Sequence, residues 1–280
     1  MVTRSLRPPR PLRFKLSEPS RHRIRTMLVR CLVASTTAAA VTAPLAAQDA
    51  LAGAARWADS ARRTIEEGVV TGDVARIRTG GAVAARALQA WPDEPLLLHY
   101  AGYAAYREAM QRMDDDSASE ALLVTAIGHL VRSAERRPMA ETQALLGASY
   151  GALAGRGMIA GMRNGPKASR AQEEAARLGP ANPRVLLLAA TGAWHTPSMW
   201  GGGKDKARAL LARAIAAFAT DTPAAPLPAW GHAEAYAWLG QFERDAGRLD
   251  AARAAYDRAL AIEPRYAWVR AVLRPAVAGR

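Results

Sequence analysis

The feature that most constrains this chain is a segment near its C-terminus, residues 233–264. Apolar residues recur there at spacings of three and four, which is typical of amphipathic helices. Gly247 divides the segment near its middle and Pro264 ends it, and both residue types interrupt helices. The segment therefore predicts two short helices joined by a tight turn. Where these helices touch we expect small residues, namely Gly240, Ala252 and Ala259. Between those contacts we expect large residues, namely Tyr236, Leu239 and Tyr256.

With these residues the segment resembles one tetratricopeptide repeat, a helical hairpin of about 34 residues. One such hairpin cannot bury its own apolar face, so neighbouring hairpins must stack on it. Four weaker copies precede it, with predicted helices at 51–67 and 72–91, 95–113 and 119–137, 141–153 and 167–178, and 183–195 and 204–218. Residues 265–278 are predicted to form a terminal helix. The resemblance implies an all-α fold, a right-handed α-solenoid of about five hairpins with a C-terminal capping helix, over residues 48–280.

The N-terminal part has the pattern of a secretory signal peptide. Residues 1–30 carry nine Arg or Lys and one Glu, and an uncharged run rich in Ala, Val, Leu and Thr follows up to Gln48. A basic region, a modest apolar region and small residues at the exit are typical of such leaders. We expect residues 1–47 to be a leader cleaved near Ala46–Gln48, which places the mature chain in the periplasm or outside the cell. An uncleaved membrane anchor is the alternative, and translation could begin at Met27.

Removing this leader changes the charge of the protein. The whole chain has a net charge of +13, of which residues 1–30 contribute eight positive charges, so the rest retains five. Those remaining charges are spread along helix faces beside acidic residues, whereas nucleic-acid binding favours clustered basic residues interleaved with aromatics. We therefore expect no nucleic-acid partner. Cys31 is the single cysteine and lies in the leader, so the mature chain has no disulfide.

A glycine-rich loop is the most unusual local sequence. Its residues of interest are His195, Trp200, Gly201, Gly202, Gly203 and Lys204. Bare N–H groups before a helix can hold an anion. However, Ser198 and Asp205 occupy positions where a Walker-type nucleotide loop needs Gly and Ser or Thr. Two interpretations stay open: a rigid connector with Trp200 packed under the hairpin, or a contact for an anion or a peptide.

This loop is also similar to one in a loosely defined group of exported bacterial tetratricopeptide proteins. In that group a Thr-Pro pair and a Gly-Gly turn precede a helix of Lys-Ala-Leu type. The resemblance covers most of residues 95–275 and implies an architecture and a compartment, but no activity. The expected long connections, which begin near Asp114, at Gly155 and at Thr196, belong to the part of a solenoid that often carries function.

Motifs for catalysis or for a metal are missing from the sequence. The histidines of the mature chain, His99, His129, His195 and His232, are isolated, and no His-Glu-x-x-His or Gly-x-Ser-x-Gly occurs. The Asp114–Asp116 run lacks the ligand spacing and the glycine of a calcium loop. We therefore predict a protein that is not an enzyme, with no cofactor and no metal.

The first helix of each hairpin is expected to line the concave face of the solenoid. The spacing of groove-facing positions places there His99, Tyr103, Tyr106, Arg107, Glu234, Gln241 and Arg244. Aromatic groups beside Arg suit the capture of an extended peptide. Packing between adjacent first helices uses the same residue types and is an equal alternative. The Lys and Asn pattern of a carboxylate clamp for C-terminal peptides is missing.

The sequence thus favours an exported scaffold that binds a protein or peptide of the cell envelope along its concave face. A periplasmic small-ligand carrier or transporter accessory subunit is the alternative. After cleavage of the leader we expect no stable membrane span.

The leader hypothesis predicts a specific N-terminus for the mature protein. Protein recovered from the periplasm or the medium of a bacterial host should begin near Ala46–Gln48 on N-terminal sequencing, because signal peptidases cut after small residues. A recovered chain that still begins at Met1 would contradict the leader.

Overall fold

The computed structural model describes residues 45–277, which contain ten α-helices and no β-strand. The helices are α1 (Leu45–Thr71), α2 (Val74–Ala87), α3 (Pro95–Met110), α4 (Asp116–Arg136), α5 (Ala140–Ala154), α6 (Met158–Leu178), α7 (Pro183–His195), α8 (Lys204–Phe218), α9 (His232–Asp245) and α10 (Leu249–Ile262). The signal-peptide prediction falls on residues 1–47, which lie outside this range apart from the first turn of α1.

Successive helices pack in pairs, α1 on α2, α3 on α4, α5 on α6, α7 on α8 and α9 on α10. The five predicted hairpins are therefore confirmed, and we call them hairpins 1 to 5. Helices α7 and α8 have the predicted boundaries. The all-α solenoid predicted from the repeat pattern is the fold of the described chain.

Helix α6 differs most from its prediction. The connection expected at residues 155–166 is only a short turn, because α6 already begins at Met158 and continues through Pro166. Proline usually ends a helix, since it lacks an N–H and clashes with the preceding turn. Here Asn164 and Ala168 are buried on either side of Pro166, so packing in hairpin 3 overrides the local preference. The first two turns of α6 therefore form part of the helix rather than a loop.

The terminal segment is shorter than the predicted helix at 265–278. It forms a π-helical turn at Trp268–Leu273 and a 3₁₀ turn at Pro275–Val277. Its Val269, Leu273 and Val277 are buried against Tyr256 and neighbouring alanines of hairpin 5. The segment thus supplies the apolar cover that the last repeat of a solenoid needs.

Glycines set the helix spacing within the hairpins. A Cβ atom added at Gly240 would lie 2.2 Å from the buried ring of Tyr256, and one added at Gly80 would lie 2.5 Å from Ile65. Gly80 and Gly81 both lie inside α2, although glycine weakens the interior of a helix. Helix α1 approaches α2 so closely at Gly80 that a residue without a Cβ atom is needed there.

The solenoid closes on itself through a long connection between α8 and α9. Residues 219–231, which we call the strap, cross the concave side of the first two hairpins. The hydroxyl of Tyr100 donates to the carbonyl oxygen of Pro226 at 2.5 Å, and the Trp230 ring stacks on Tyr103 with centroids 5.4 Å apart. Helix α3 is covered on every side as a result, and thirteen of its sixteen residues are buried.

Two ion pairs lie at the ends of the strap. Arg184 of α7 binds Asp221 near its start at 2.5 Å, and Arg107 of α3 binds Glu234 just after its end at 2.5 Å. Farther along, Arg265 reaches Glu67 of α1 at 2.7 Å. Hairpin 5 is therefore joined to hairpin 2, and the segment that follows it is joined to hairpin 1.

The hairpin contacts predict opposite effects for two glycine substitutions. Gly240→Ala would place a methyl group in steric clash with the Tyr256 ring and should lower the free energy of unfolding by about 2 kcal/mol. A Cβ atom added at Gly128 in α4 would have no neighbour within 4 Å. Gly128→Ala should therefore raise the free energy of unfolding by about 0.5–1 kcal/mol, because alanine favours the helix. Denaturant unfolding of both variants measures the difference. If both substitutions changed the free energy of unfolding equally and in the same direction, the contact between Gly240 and Tyr256 would not limit the packing of hairpin 5.

Candidate functional site

The residues predicted to line an open groove are inside the protein. His99, Tyr103, Tyr106 and Arg107 of α3 are all buried. These four side chains are therefore not accessible to a partner in this structure, and their role in partner binding stays a prediction. The physical reason is that the strap and α9 cover the concave side of α3. The alternative weighed from the sequence, packing between first helices, describes their environment.

Arg107 and Glu234 are the pair of predicted residues that the fold brings together. The guanidinium donates to both carboxylate oxygens, at 2.9 and 2.5 Å, and its Nε donates to the Tyr103 hydroxyl at 3.1 Å. It also lies 5.1 Å from the centre of the Trp230 ring. Burial alone would lower the pKa of Arg107, but the Glu234 carboxylate outweighs it and the pKa lies well above its ordinary value. We call this buried ion pair, which joins Arg107 of α3 to Glu234 of α9, the clasp.

His99 is a structural residue of the core. Its Nδ1 lies 2.9 Å from the hydroxyl of Thr142 in α5, and its ring stacks near Tyr103. Complete burial lowers the pKa of His99 to about 3, helped by the positive charges of Arg137 and Arg184. The imidazole is therefore neutral near pH 7. Burial likewise raises the pKa of Tyr106 to about 12.

Gln241 and Arg244 are not joined to the other predicted groove residues. Gln241 accepts a hydrogen bond from the hydroxyl of Tyr256 at 3.1 Å, within hairpin 5. Arg244 binds the adjacent Asp245 at 3.1 Å and is about one third exposed. The seven predicted residues therefore do not form one surface.

The N–H groups of the three consecutive glycines in the glycine-rich loop are all hydrogen-bonded. Those of Gly201, Gly202 and Gly203 donate to the carbonyl oxygens of Ser198, Pro197 and Ala193 at 3.0, 3.2 and 2.9 Å. These donors are thus already paired within the loop, which removes the main argument for anion binding. Gly201 and Gly203 have φ values of 81° and 112°, a backbone region that other residues rarely adopt. The loop is a tight reversal, as the connector interpretation required.

The connector interpretation places Trp200 under the hairpin, and the structure contradicts that part of it. Trp200 lies in a 3₁₀ turn, Ser198–Trp200, and its side chain is 73 % exposed. Trp194 provides the packing instead: its ring stacks on Phe242 at 3.8 Å, and the Lys204 ammonium lies 5.1 Å from its centre. His195 is exposed and its ring lies 6.0 Å from Trp238. The loop therefore projects Trp200 into solvent from a well-packed base.

The most exposed large apolar side chains of the described residues lie in two places only. They are Met158, Ile159 and Met162 at the start of α6, and Met199 and Trp200 in the turn before α8, with exposures from 67 to 82 %. We call these five residues the apolar edge. Residues 158 and 159 precede residue 162 by four and three positions, so both lie on the face of α6 that contains residue 162.

Topology places both parts of the apolar edge at the same end of the solenoid. Each follows the turn that joins the first to the second helix of its hairpin, and hairpins 3 and 4 are neighbours through α5 and α7. At that end Arg156 of hairpin 3 donates to the carboxylate of Asp116 in hairpin 2 at 2.9 Å. Neighbouring hairpins stack side by side, so the two apolar tips lie at the same end of hairpins 3 and 4.

Basic residues accompany the apolar edge. Between Met158 and Gln172 the charged residues are Arg163, Lys167 and Arg170, all exposed and without an acidic neighbour in that range. Lys204 and Lys206 follow Trp200, with Asp205 between them. The Lys206 ammonium donates to the carbonyl oxygen of Gly201 at 2.6 Å. The apolar edge therefore has positive charge beside it in both hairpins.

Sequence reasoning missed the strap and half of the apolar edge. The strap had a visible signal, since residues 219–231 form a long connection between hairpins that contains Trp230. Met158, Ile159 and Met162 fall in the connection predicted between residues 155 and 166. Met199 and Trp200 fall in the predicted glycine-rich loop.

Two spaces could be considered for a small ligand. One, of about 460 Å³, is an open surface depression lined by Thr71, Arg265 and Arg270. A second space, between Ala144, Gln172 and Leu188, holds only about 10 Å³. Within residues 45–277 no group of three or more His, Cys, Asp or Glu side chains is placed to bind a metal.

The clasp predicts a strongly non-additive pair of substitutions. Glu234→Leu leaves the Arg107 guanidinium buried without a carboxylate and should lower the free energy of unfolding by roughly 3–5 kcal/mol. Adding Arg107→Met to Glu234→Leu should restore much of that loss, because no buried charge remains. Denaturant unfolding of the double-mutant cycle measures the coupling. Additive effects of the two substitutions would contradict a direct buried pair.

Comparison with known proteins supports the repeat architecture. No protein-family model and no curated protein sequence matches the chain. A crystal structure of a thermophilic tetratricopeptide-repeat protein from Thermus thermophilus superposes with a TM-score of 0.55 at 22 % sequence identity. The match covers 78 % of this chain and 98 % of that protein. The chain therefore has the fold of a tetratricopeptide-repeat protein.

Proposed function

We propose that this protein is an exported, non-enzymatic scaffold that associates with other components of the cell envelope through its apolar edge. The observation that carries the proposal is that the five most exposed large apolar side chains of residues 45–277 all lie in this edge. Apolar side chains that face water do not stabilise the fold, and they favour aggregation. Exposed apolar patches commonly mark interaction sites. The fold itself makes a protein or peptide one class of partner to expect, and the components of the envelope also include its lipids.

The concave face supports binding less well than the edge. A partner there would have to displace the strap, separate Trp230 from Tyr103 and compete with the ion pairs of Arg107 and Arg184. The strap is held in the same chain, which gives it a high effective concentration against any competing peptide. The apolar edge requires no such rearrangement.

Export and the lack of catalysis rest on sequence features. The basic and apolar N-terminal segment supports export to the periplasm or beyond. The non-enzymatic character follows from the missing catalytic motifs and from the paired, structural roles of His99, Arg107 and Glu234. No observation in the described residues favours the small-ligand carrier.

Fractionation of a bacterial host tests the proposal. The wild-type chain should sediment with the envelope, whereas a variant carrying Met158→Ser, Met162→Ser and Trp200→Ser should be depleted there by roughly tenfold or more, because each loses buried apolar area on docking. These side chains are at least 67 % exposed, so the melting temperature should not change.

A matched control uses exposed apolar residues outside the edge. Leu51→Ser, Val124→Ser and Val272→Ser replace side chains that are 62, 57 and 55 % exposed, and this variant should sediment like the wild type. Equal sedimentation of the edge variant and the wild type would contradict the role of the edge. Recovery of all three proteins in the cytoplasm would contradict export.

A further inference from the structure

The chemistry of the apolar edge identifies the surface that it fits. Resting on the proposed function, we infer that the edge docks on a bilayer containing anionic lipids, with the apolar side chains inserted and the basic side chains at the headgroups. This assigns a lipid surface, rather than a protein, as the first partner of the edge.

The apolar side chains protrude instead of lining a depression. Met158 and Met199 are each 82 % exposed, and Ile159 is 79 % exposed. A protein partner must present a hollow of matching shape to bury such tips, since interface cores pack as densely as protein interiors. Lipid chains are fluid and accept a protruding group of any shape. Trp200 is the residue type that prefers the boundary between headgroups and acyl chains.

Positive charge lies where a bilayer surface would meet the protein. Arg163, Lys167 and Arg170 follow the apolar face of α6, and the Lys167 ammonium lies 5.5 Å from the centre of the Tyr150 ring. Lys204 and Lys206 flank the second tip, and Asp205 between them lies 3.6 Å from Arg208. Each basic residue near an anionic surface is attracted to it. Apolar residues beside basic ones are typical of helices that lie on membranes.

Acidic residues limit the footprint to hairpins 3 and 4. The turn of hairpin 2 at the same end carries Asp114, Asp115 and Asp116, which an anionic surface repels. Asp116 is bound to Arg156, so its charge is partly balanced. The docked face therefore includes α6 and the turn before α8, with hairpin 2 tilted away from the lipid. None of the described helices is long and apolar enough to cross a membrane, and surface docking requires no span.

Vesicle binding by the full chain tests this inference. The probes are vesicles of phosphatidylcholine alone and vesicles in which roughly one third of the lipid is phosphatidylglycerol, an anionic lipid. The wild type should bind the anionic vesicles more tightly. The variant Met158→Ser/Ile159→Ser/Trp200→Ser should bind them at least about tenfold more weakly, and Val124→Ser should bind like the wild type. The assay is repeated on the chain recovered after export, because residues 1–30 carry nine Arg or Lys and one Glu and would bind anionic lipid by themselves, which would mask the loss at the edge.

Fluorescence quenching reports insertion of the edge itself. Brominated lipid should quench part of the tryptophan emission of the wild type, and this part should be lost in Trp200→Phe, which keeps an apolar ring. Arg163→Gln/Lys167→Gln/Lys204→Gln should reduce binding to anionic vesicles by roughly tenfold or more and leave binding to phosphatidylcholine unchanged.

The outcomes distinguish this inference from the proposed function. Equal vesicle binding by the wild type and the edge variant, or no quenching assigned to Trp200, would overturn the lipid assignment. If envelope association were then lost after protease treatment of the envelope, the edge would bind a protein and the proposed function would stand. If the edge variant also stayed with the envelope, both would fail.

Discussion

The Arg107 guanidinium buried against Glu234 is the contact on which the shape of this solenoid depends. A guanidinium taken out of water is costly unless a carboxylate and further acceptors surround it. Here a carboxylate 127 residues away in the chain supplies that partner, together with the hydroxyl of Tyr103 and the faces of Tyr103 and Trp230. The requirement to keep this charge satisfied fixes α9 opposite α3. The strap between α8 and α9 must then cross the concave side.

Closure changes what the repeat architecture can do. An open solenoid offers a groove lined by its first helices, whereas here the same helices form a continuous core from Ala58 in α1 to Phe242 in α9. Helix α3 has apolar residues on all sides, as expected for a helix with no solvent-facing side. The inner face is therefore covered, and the ends of the hairpins are left exposed. Turns at those ends tolerate change without disturbing the core.

The sequence predicted the local structure well because each hairpin carries its own signals. Spacing, Gly247 and Pro264 define hairpin 5, and similar patterns gave the boundaries of α7 and α8. Two kinds of information were inaccessible. Pro166 lies inside α6 because tertiary packing outweighs a local helix breaker. The burial of His99 and Tyr103 depends on residues 219–231, more than a hundred positions away, and a helical periodicity identifies an inner face without showing what covers it. For the candidate site, the loop at 196–203 was found, but the orientation of Trp200 was not.

The apolar edge is the part of the chain that folding does not explain. Met158, Ile159 and Met162 add helix to the front of α6 without adding core, since their side chains are 67 to 82 % exposed. Trp200 projects from a turn whose glycines and hydrogen bonds would be as stable with a polar residue there. Both tips belong to adjacent hairpins, and both have basic residues beside them. These side chains add nothing to the core, and exposed apolar side chains grouped in this way commonly mark contact with another surface. Because the interior is filled by the strap, this end of hairpins 3 and 4 is where such contact can occur without unfolding any part of the solenoid.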